Sequence, residues 1–144
     1  LEISELSTVD YAYNAVARAY EEDGETPKYY VAYDGTVTAG IDFSKIVIDI
    51  DEDTKMITLT LPESEIQNTT VDFGSMDYIF ENKKYETETI SQEAYELCRA
   101  DLAERAAKEK DLLALAQENA VTAVEALVNP WVQQLDEEYK VTIQ

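Results

Sequence analysis

The amino-acid composition changes once along the chain, and this change constrains the fold most. Residues 1–88 hold all four glycines and are rich in Thr, Ile, Val and Tyr, which favour strands. Residues 89–138 contain no glycine and are rich in Ala, Leu and Glu, which favour helices. The change predicts an α+β fold: a mostly antiparallel sheet, then a long C-terminal helix and a final strand at 139–143. Residues 1–144 are expected to form a single domain, since this length suits one core.

Alternating apolar residues in the first half predict antiparallel strand pairs. Asp34-Gly35 lies between two β-prone runs, and such a dipeptide is typical of a tight hairpin. Apolar residues also alternate through 46–50 and 57–61, on either side of an acidic turn, which predicts a second pair. Pro62 is expected to end this pair, because proline cannot donate a backbone hydrogen bond. The opening segment, residues 1–22, fits strand and helical spacing equally well, so periodicity leaves both open.

The helical half shows apolar residues at spacings of three and four. Ser91 is a candidate N-cap. Asn129-Pro130 predicts a break in the helix, because proline disfavours helical backbone at the preceding residue. Trp131 is expected to anchor the core beside this break. The apolar stripe predicted to pack on the sheet consists of Leu113, Ala116, Ala120, Val124, Leu127 and Trp131.

Charge and missing residue types exclude several classes of function. The chain has 11 Lys and Arg against 31 Asp and Glu, a formal charge of −20, which repels nucleic-acid phosphates and anionic lipids. It has no histidine and a single cysteine, Cys98, so Ser-His-Asp triads, Cys-His pairs and the usual zinc sites are excluded. Cys98 is expected to be a buried apolar side chain. We therefore expect no enzymatic activity, no catalytic residues, no cofactor and no nucleic-acid partner.

The acidic turn offers one candidate metal site. Asp49, Asp51 and Asp53 have the spacing that begins an EF-hand loop. The pattern then fails, since the sixth position is Thr54 instead of glycine and the twelfth is Thr60 instead of glutamate. An acidic hairpin turn is the favoured interpretation, with weak Ca²⁺ binding as the alternative.

Paired tyrosines permit two interpretations. On strands, Tyr11 would share a face with Tyr13, and Tyr29 with Tyr33. Rows of exposed aromatic rings can bind glycans or peptides, but strand aromatics more often pack across strands. We favour packing.

Two segments resemble a family. Tyr33-Asp34-Gly35-Thr36-Val37-Thr38-Ala39-Gly40-Ile41-Asp42-Phe43-Ser44 and the later strand Ile57–Pro62 resemble a bacterial domain-of-unknown-function family with a Y-x-G-x-V-x-A-G-I-D-x-S motif. Structural roles suit the motif residues Gly35, Gly40, Asp42 and Pro62. Gly40 would bend the chain with a positive φ, and Asp42 would cap Phe43-Ser44-Lys45 as an Asx turn.

The resemblance implies a cellular location for the protein and does not imply a particular activity. Members of such a family are similar to single-span proteins, with a transmembrane helix ahead of this domain and the domain outside the cytoplasm. The resemblance favours a strand over 1–22, and the chain's start at Leu1 instead of methionine fits removal of an anchor. The order of elements also resembles stomatin- and prohibitin-type domains. We expect a non-enzymatic, membrane-anchored, extracytoplasmic domain that contacts a protein or cell-envelope partner. A small-ligand or Ca²⁺ binder and a homo-oligomeric scaffold are the alternatives.

Overall fold

The computed structural model describes residues 5–135 and 138–144, with side chains from residue 8 to 134 and from 138 onward. Residues 1–4 of the predicted opening segment and 136–137 of the predicted helical half lie outside the described residues. The strands and helices are β1 (Glu5–Tyr20), β2 (Pro27–Asp42), β3 (Val47–Asp51), β4 (Met56–Thr60), β5 (Glu65–Val71), β6 (Asp77–Phe80), α1 (Ile90–Ala107), α2 (Lys110–Leu135) and β7 (Lys140–Ile143). Three 3-10 turns occupy Phe43–Lys45, Phe73–Ser75 and Lys83–Tyr85.

The predicted α+β class is confirmed, and the described part of the opening segment is a strand. β2 pairs with β1, β5 and β6 in a four-stranded sheet. A second sheet has the order β3-β4-β7, in which β3 and β4 are antiparallel, as predicted, and β7 joins β4 in parallel. β4 ends at Thr60, shortly before Pro62, and β7 is the expected final strand.

The hairpin predicted at Asp34-Gly35 is wrong, because β2 runs straight through both residues. The turn lies earlier, between β1 and β2. There Gly24 has a φ of 74°, and the Asp23 carboxylate accepts hydrogen bonds from the backbone N–H groups of Glu25 and Thr26 at 2.9 Å. A second Asp-Gly pair, Asp23-Gly24, therefore makes the turn.

Gly35 has a packing role in place of the predicted turn role. It continues the buried alternation of Tyr29, Val31 and Tyr33, so its missing side chain would point inward. A Cβ built at Gly35 would lie 2.7 Å from a methyl group of Leu102 on α1 and 3.2 Å from the Thr70 carbonyl oxygen. The glycine lets helix and strand approach closely.

The predicted bend at Gly40 and the predicted cap at Asp42 have different outcomes. The bend expected at Gly40 is wrong: this residue is a buried part of β2, and Gly24 alone has a positive φ among the described glycines. The chain turns two residues later. There the Asp42 carboxylate accepts a hydrogen bond from the Ser44 backbone at 3.0 Å, which is the expected capping geometry.

The helical half breaks at a different place from the one predicted. α1 ends at Ala107 and α2 begins at Lys110, whereas Pro130 lies inside α2. Buried residues follow every fourth position in α1 up to Ala106, and the next buried position is Leu112. This six-residue step moves the apolar stripe to another face, so one straight helix could not bury both halves.

α2 continues through Pro130 because apolar packing holds the following turn. Val132 is buried against the core of the second sheet, and Val128 is partly buried there. This packing offsets the hydrogen bond that the proline ring removes. At the start of α1, Thr89 instead of Ser91 occupies the N-cap position, without a side-chain cap hydrogen bond.

The chain divides into two compact units. The α1 unit comprises residues 11–37 and 68–109, and the α2 unit comprises the described residues 5–10, 38–67, 110–135 and 138–144. In the α1 unit, the buried face of α1 consists of Ile90, Ala94, Cys98, Leu102 and Ala106. In the α2 unit, the core consists of Ile41, Ile57, Leu59, Leu61, Ala120, Val124 and Val132.

Candidate functional site

The three-stranded sheet β3-β4-β7 of the α2 unit presents one apolar face toward α2. Directly opposed residues share a face of a sheet, and Ile48 lies opposite Leu59 while Ile50 lies opposite Ile57. In the parallel pair, Val141 is aligned with Ile57. All three strands therefore contribute apolar side chains to the same face.

α2 covers only part of this face. Leu59 on β4 is 3% exposed, whereas its partner Ile48 on β3 is 63% exposed. Ile50 is also more than half exposed. An α-helix with its side chains is about 10–12 Å across and strands lie about 4.8 Å apart, so one helix covers roughly two strands. Among the described residues, α2 packs on β4 and β7, and Ile48 and Ile50 of β3 stay exposed.

A groove runs between β3 and α2. It is a cavity of about 190 Å³, which we call the β3 groove, and Ile50, Ile57, Trp131, Val132 and Tyr139 line it. Trp131 is 56% exposed, so the prediction that it anchors the core is wrong. Leu127, one helical turn earlier on α2, is exposed as well. Of the predicted stripe, Ala116, Ala120 and Val124 are buried.

β3 is also an edge strand. Among the described residues it pairs with β4 alone, so one side of its backbone has no strand partner there. The face opposite the β3 groove carries Asp49 and Asp51 of the same strand. Asp51 also holds the following turn, since its carboxylate accepts hydrogen bonds from the backbone N–H groups of Asp53 and Thr54 at 3.0 and 3.2 Å.

The α1 unit holds a polar network that joins the buried Tyr33 hydroxyl to the half-buried Asp101 and the exposed Arg105. The Tyr33 hydroxyl donates to the Asp101 carboxylate at 2.7 Å, and Arg105 donates to the same oxygen at 2.8 Å. Arg105 also donates to the Val16 carbonyl at 3.2 Å. Burial, followed by the hydrogen bond to Asp101, raises the pKa of Tyr33 well above its ordinary value of 10.0. The network ties α1 to strands of its own unit.

Other titratable side chains in the α1 unit are held in their neutral forms. Burial raises the pKa of the Cys98 thiol to about 11, and Cys98 is fully buried as predicted. Burial, with a smaller contribution from nearby Glu93, raises the pKa of Tyr29 to about 12. Tyr29 and Tyr33 are buried, so this pair packs in the core as favoured from sequence.

A larger cavity of about 510 Å³ in the α1 unit is lined by charged side chains that have partners in its own wall. Lys28 lies 3.7 Å from Glu93 and 5.7 Å from the centre of the Tyr85 ring. Lys84 lies 5.0 Å from the same ring. These cations are occupied by partners within the cavity wall, so the β3 groove is the stronger candidate for a binding surface.

Comparison with family models identifies the family. A model for a protein of unknown function, DUF4230, matches residues 1–143. The chain belongs to the DUF4230 family. The expected membership in a domain-of-unknown-function family is thereby confirmed. No curated protein and no solved structure matches the chain.

In this DUF4230 domain, the residues singled out from sequence do not form one site. Asp49, Asp51 and Asp53 lie on β3 and its turn. Within the described residues, no cluster of three or more His, Cys, Asp or Glu side chains has a metal-binding arrangement. Weak Ca²⁺ binding at the turn stays a prediction. None of the helices in the described parts of the chain is long and apolar enough to cross a membrane.

Gly35 and Pro62, two of the motif residues singled out from sequence, make structural contacts. Gly35 lies against Leu102. Pro62 lies in the α2 unit, where its carbonyl accepts a hydrogen bond from the Gln117 side chain at 3.1 Å and the same side chain accepts one from the Ser64 backbone at 2.6 Å. The β3 groove was missed from sequence because apolar alternation marks a face without showing what covers it. The exposed Trp131 beside Asn129-Pro130 was the available signal.

Proposed function

We propose that this DUF4230 chain is an extracytoplasmic, membrane-tethered, non-enzymatic domain that acts through contact with a protein or another cell-envelope component. The β3 groove carries the proposal. A chain with a charge of −20 keeps Ile48, Ile50, Leu127 and Trp131 exposed in one unit. Contiguous exposed apolar patches rimmed by polar residues mark interaction surfaces.

Side-chain chemistry supports a role without catalysis. The chain has no histidine to act as a base near neutral pH. Its single thiol, Cys98, is buried with a raised pKa, so it is not a thiolate nucleophile at neutral pH. The Asp101 carboxylate is engaged by Tyr33 and Arg105. The burial of Cys98 and the contacts of Asp101 are explained by their roles in the folded structure.

Charge and resemblance support the tether. An acidic surface is repelled by anionic lipid headgroups, so membrane association requires an anchor outside the domain's own surface. The family resemblance seen in the sequence implies such an anchor ahead of this domain. The strongly acidic composition is compatible with a domain held near a membrane without lying on it.

Topology of the full-length protein in its native host tests the location. We expect the protein to stay in the membrane fraction after alkaline carbonate extraction, and to be cleaved by a protease added to intact spheroplasts. A cytoplasmic protein of the same cells provides the protection control. Release by carbonate, or protection from the protease until lysis, would contradict the proposal.

Site-specific photo-crosslinking tests the contact. A photo-reactive residue at position 48, on the uncovered face of β3, should form an adduct in cells. The matched control is position 79 on β6 of the α1 unit, since Ile79 is an equally exposed isoleucine on a strand. Equal adducts at both positions, or none at position 48, would count against a specific contact surface.

A further inference from the structure

Given the contact function proposed above, the edge of β3, which has no strand partner among the described residues, defines which partner the surface fits. We propose that β3 accepts an extended segment of another protein as an added strand, and that this segment alternates basic and apolar residues. Its apolar side chains would enter the β3 groove, and its basic side chains would face the carboxylates on the opposite side. Strand addition to a free sheet edge is a recurring mode of peptide recognition.

The two faces of β3 determine the alternation. Side chains of an added strand continue the faces of the strand they pair with. One face offers Ile48 and Ile50, both exposed, and Ile50 lines the β3 groove together with Trp131. The other face offers the carboxylates of Asp49 and Asp51, with the exposed Val47 at the beginning of the strand. A partner strand with valine- or isoleucine-like residues on one side and lysine or arginine on the other matches both faces.

Charge disfavours a second copy of this chain at the same edge. A centred antiparallel pair of β3 strands would place Asp49 directly opposite Asp49 of the other copy. Like charges opposite one another destabilise a strand pair. Charges on edge strands are a common device that prevents self-association. The carboxylates therefore disfavour a copy of this acidic chain and attract a basic segment.

Trp131 provides a direct optical reading of occupancy. It is the single tryptophan of the chain and lines the β3 groove. The probe is a short blocked peptide in which lysine and valine alternate, without aromatic residues. Titration into the folded protein should give a saturable blue shift of Trp131 emission, because binding removes water from the ring. The shift should weaken as salt is added, since salt screens the lysine contacts.

Three control peptides separate strand addition from other binding. One has the same composition with valines at helical spacing, one has glutamate in place of lysine, and one is N-methylated at alternate residues. We expect all three to bind at least about tenfold more weakly, or not at all. Equal binding of the helical-spacing or N-methylated peptide would overturn strand addition. Equal binding of the glutamate peptide would overturn the preference for a basic partner.

Variants of the protein localise the binding. Ile50→Asp should weaken binding by about tenfold or more, because it removes the apolar wall and introduces a charge. Asp49→Asn should weaken it by about two- to fivefold. Ile79→Asp is the matched control and should leave binding unchanged, and circular dichroism checks that each variant folds. Binding that Ile50→Asp leaves intact would overturn the proposal.

Two further results separate this inference from the function on which it rests. A position-48 adduct in cells together with no peptide binding would overturn the strand partner and leave the contact function standing. A concentration-dependent dimer in sedimentation, abolished by Ile50→Asp, would show that a second copy occupies the edge, and would also overturn the basic partner.

Discussion

The inward side chains of α1 are buried, whereas α2 leaves part of the sheet in its own unit exposed. Leu102 on α1 is 0% exposed and Leu127 on α2 is 62% exposed, although both are leucines in the middle of long helices. The difference comes from what each leucine faces. Leu102 packs against Gly35 in the core of the α1 unit, whereas Leu127 lies one helical turn before Trp131, which lines the open β3 groove. Apolar spacing therefore predicts which residues share a face, and the neighbouring elements decide which of them stay exposed.

Truncating one leucine on each helix tests this contrast. It has the largest expected effect on the free energy of unfolding. Leu102→Ala should lower the free energy of unfolding by about 2–5 kcal/mol, because it leaves a cavity in a closed core. Leu127→Ala should change it by less than about 0.5 kcal/mol, since the side chain is exposed. Chemical denaturation of both variants gives the comparison, and equal losses would show that the two helices are covered alike.

Adding a methyl group at Gly35 tests how closely α1 and β2 pack. Gly35→Ala should lower the free energy of unfolding by about 1–3 kcal/mol, because the new Cβ would lie 2.7 Å from Leu102. The double variant with Leu102→Ala should lose less than the two single losses added together, since the clash is relieved. Strict additivity in denaturant titrations would contradict the close approach.

Removing the Tyr33 hydroxyl tests the polar network of the α1 unit. Tyr33→Phe should cost about 0.5–1.5 kcal/mol at neutral pH, because Asp101 loses one of its donors. The raised pKa of Tyr33 means that the folded state holds the proton more tightly than the unfolded state. Its contribution is complete below the ordinary pKa of 10.0 and is lost as pH rises above it.

The Cys98 thiol and the Tyr29 phenol add to this loss of folding stability at alkaline pH. The pKa of Cys98 rises from 9.0 to about 11 and that of Tyr29 from 10.0 to about 12, so both favour folding less as pH rises through these ranges. The melting temperature should fall between about pH 9 and 12, and less steeply in Tyr33→Phe. A flat profile over this range would contradict the burial of these groups.

The smallest stability effect is expected on β3. Ile48→Thr should change the free energy of unfolding by less than about 0.5 kcal/mol, because this side chain is mostly exposed and threonine also favours strands. Denaturant midpoints measure the change. A loss of more than about 2 kcal/mol would mean that Ile48 is covered in solution.

Predictions from the spacing of apolar residues succeeded where a single spacing runs through the whole strand or helix. The alternation through 46–50 and 57–61 correctly predicted β3 and β4, and the Ala-Leu stripe correctly predicted the buried side of α2 at Ala116, Ala120 and Val124. The side chain of Asp42 caps its turn through a contact only two residues away. In these elements, patterns and contacts between residues close in sequence are sufficient to predict the structure.

Predictions failed where a distant element decides the role of a residue. The sequence contains two Asp-Gly pairs, and only the packing of Leu102 against Gly35 distinguishes the strand glycine from the turn glycine at Gly24. Pro130 lies inside a helix because Val132 packs on a sheet far away in sequence. The buried positions step by six residues from Ala106 to Leu112, and this step marks the true break between the helices.

Acrylamide quenching of Trp131 in the free protein tests the central claim, an uncovered face between β3 and α2, most directly. Trp131 is the single tryptophan, so the emission has one source. The predicted result is red-shifted emission with a quenching constant of the same order as in the chain unfolded by guanidinium. Blue-shifted emission that acrylamide barely quenches in the folded monomer would contradict it, because the groove would then be covered without a partner.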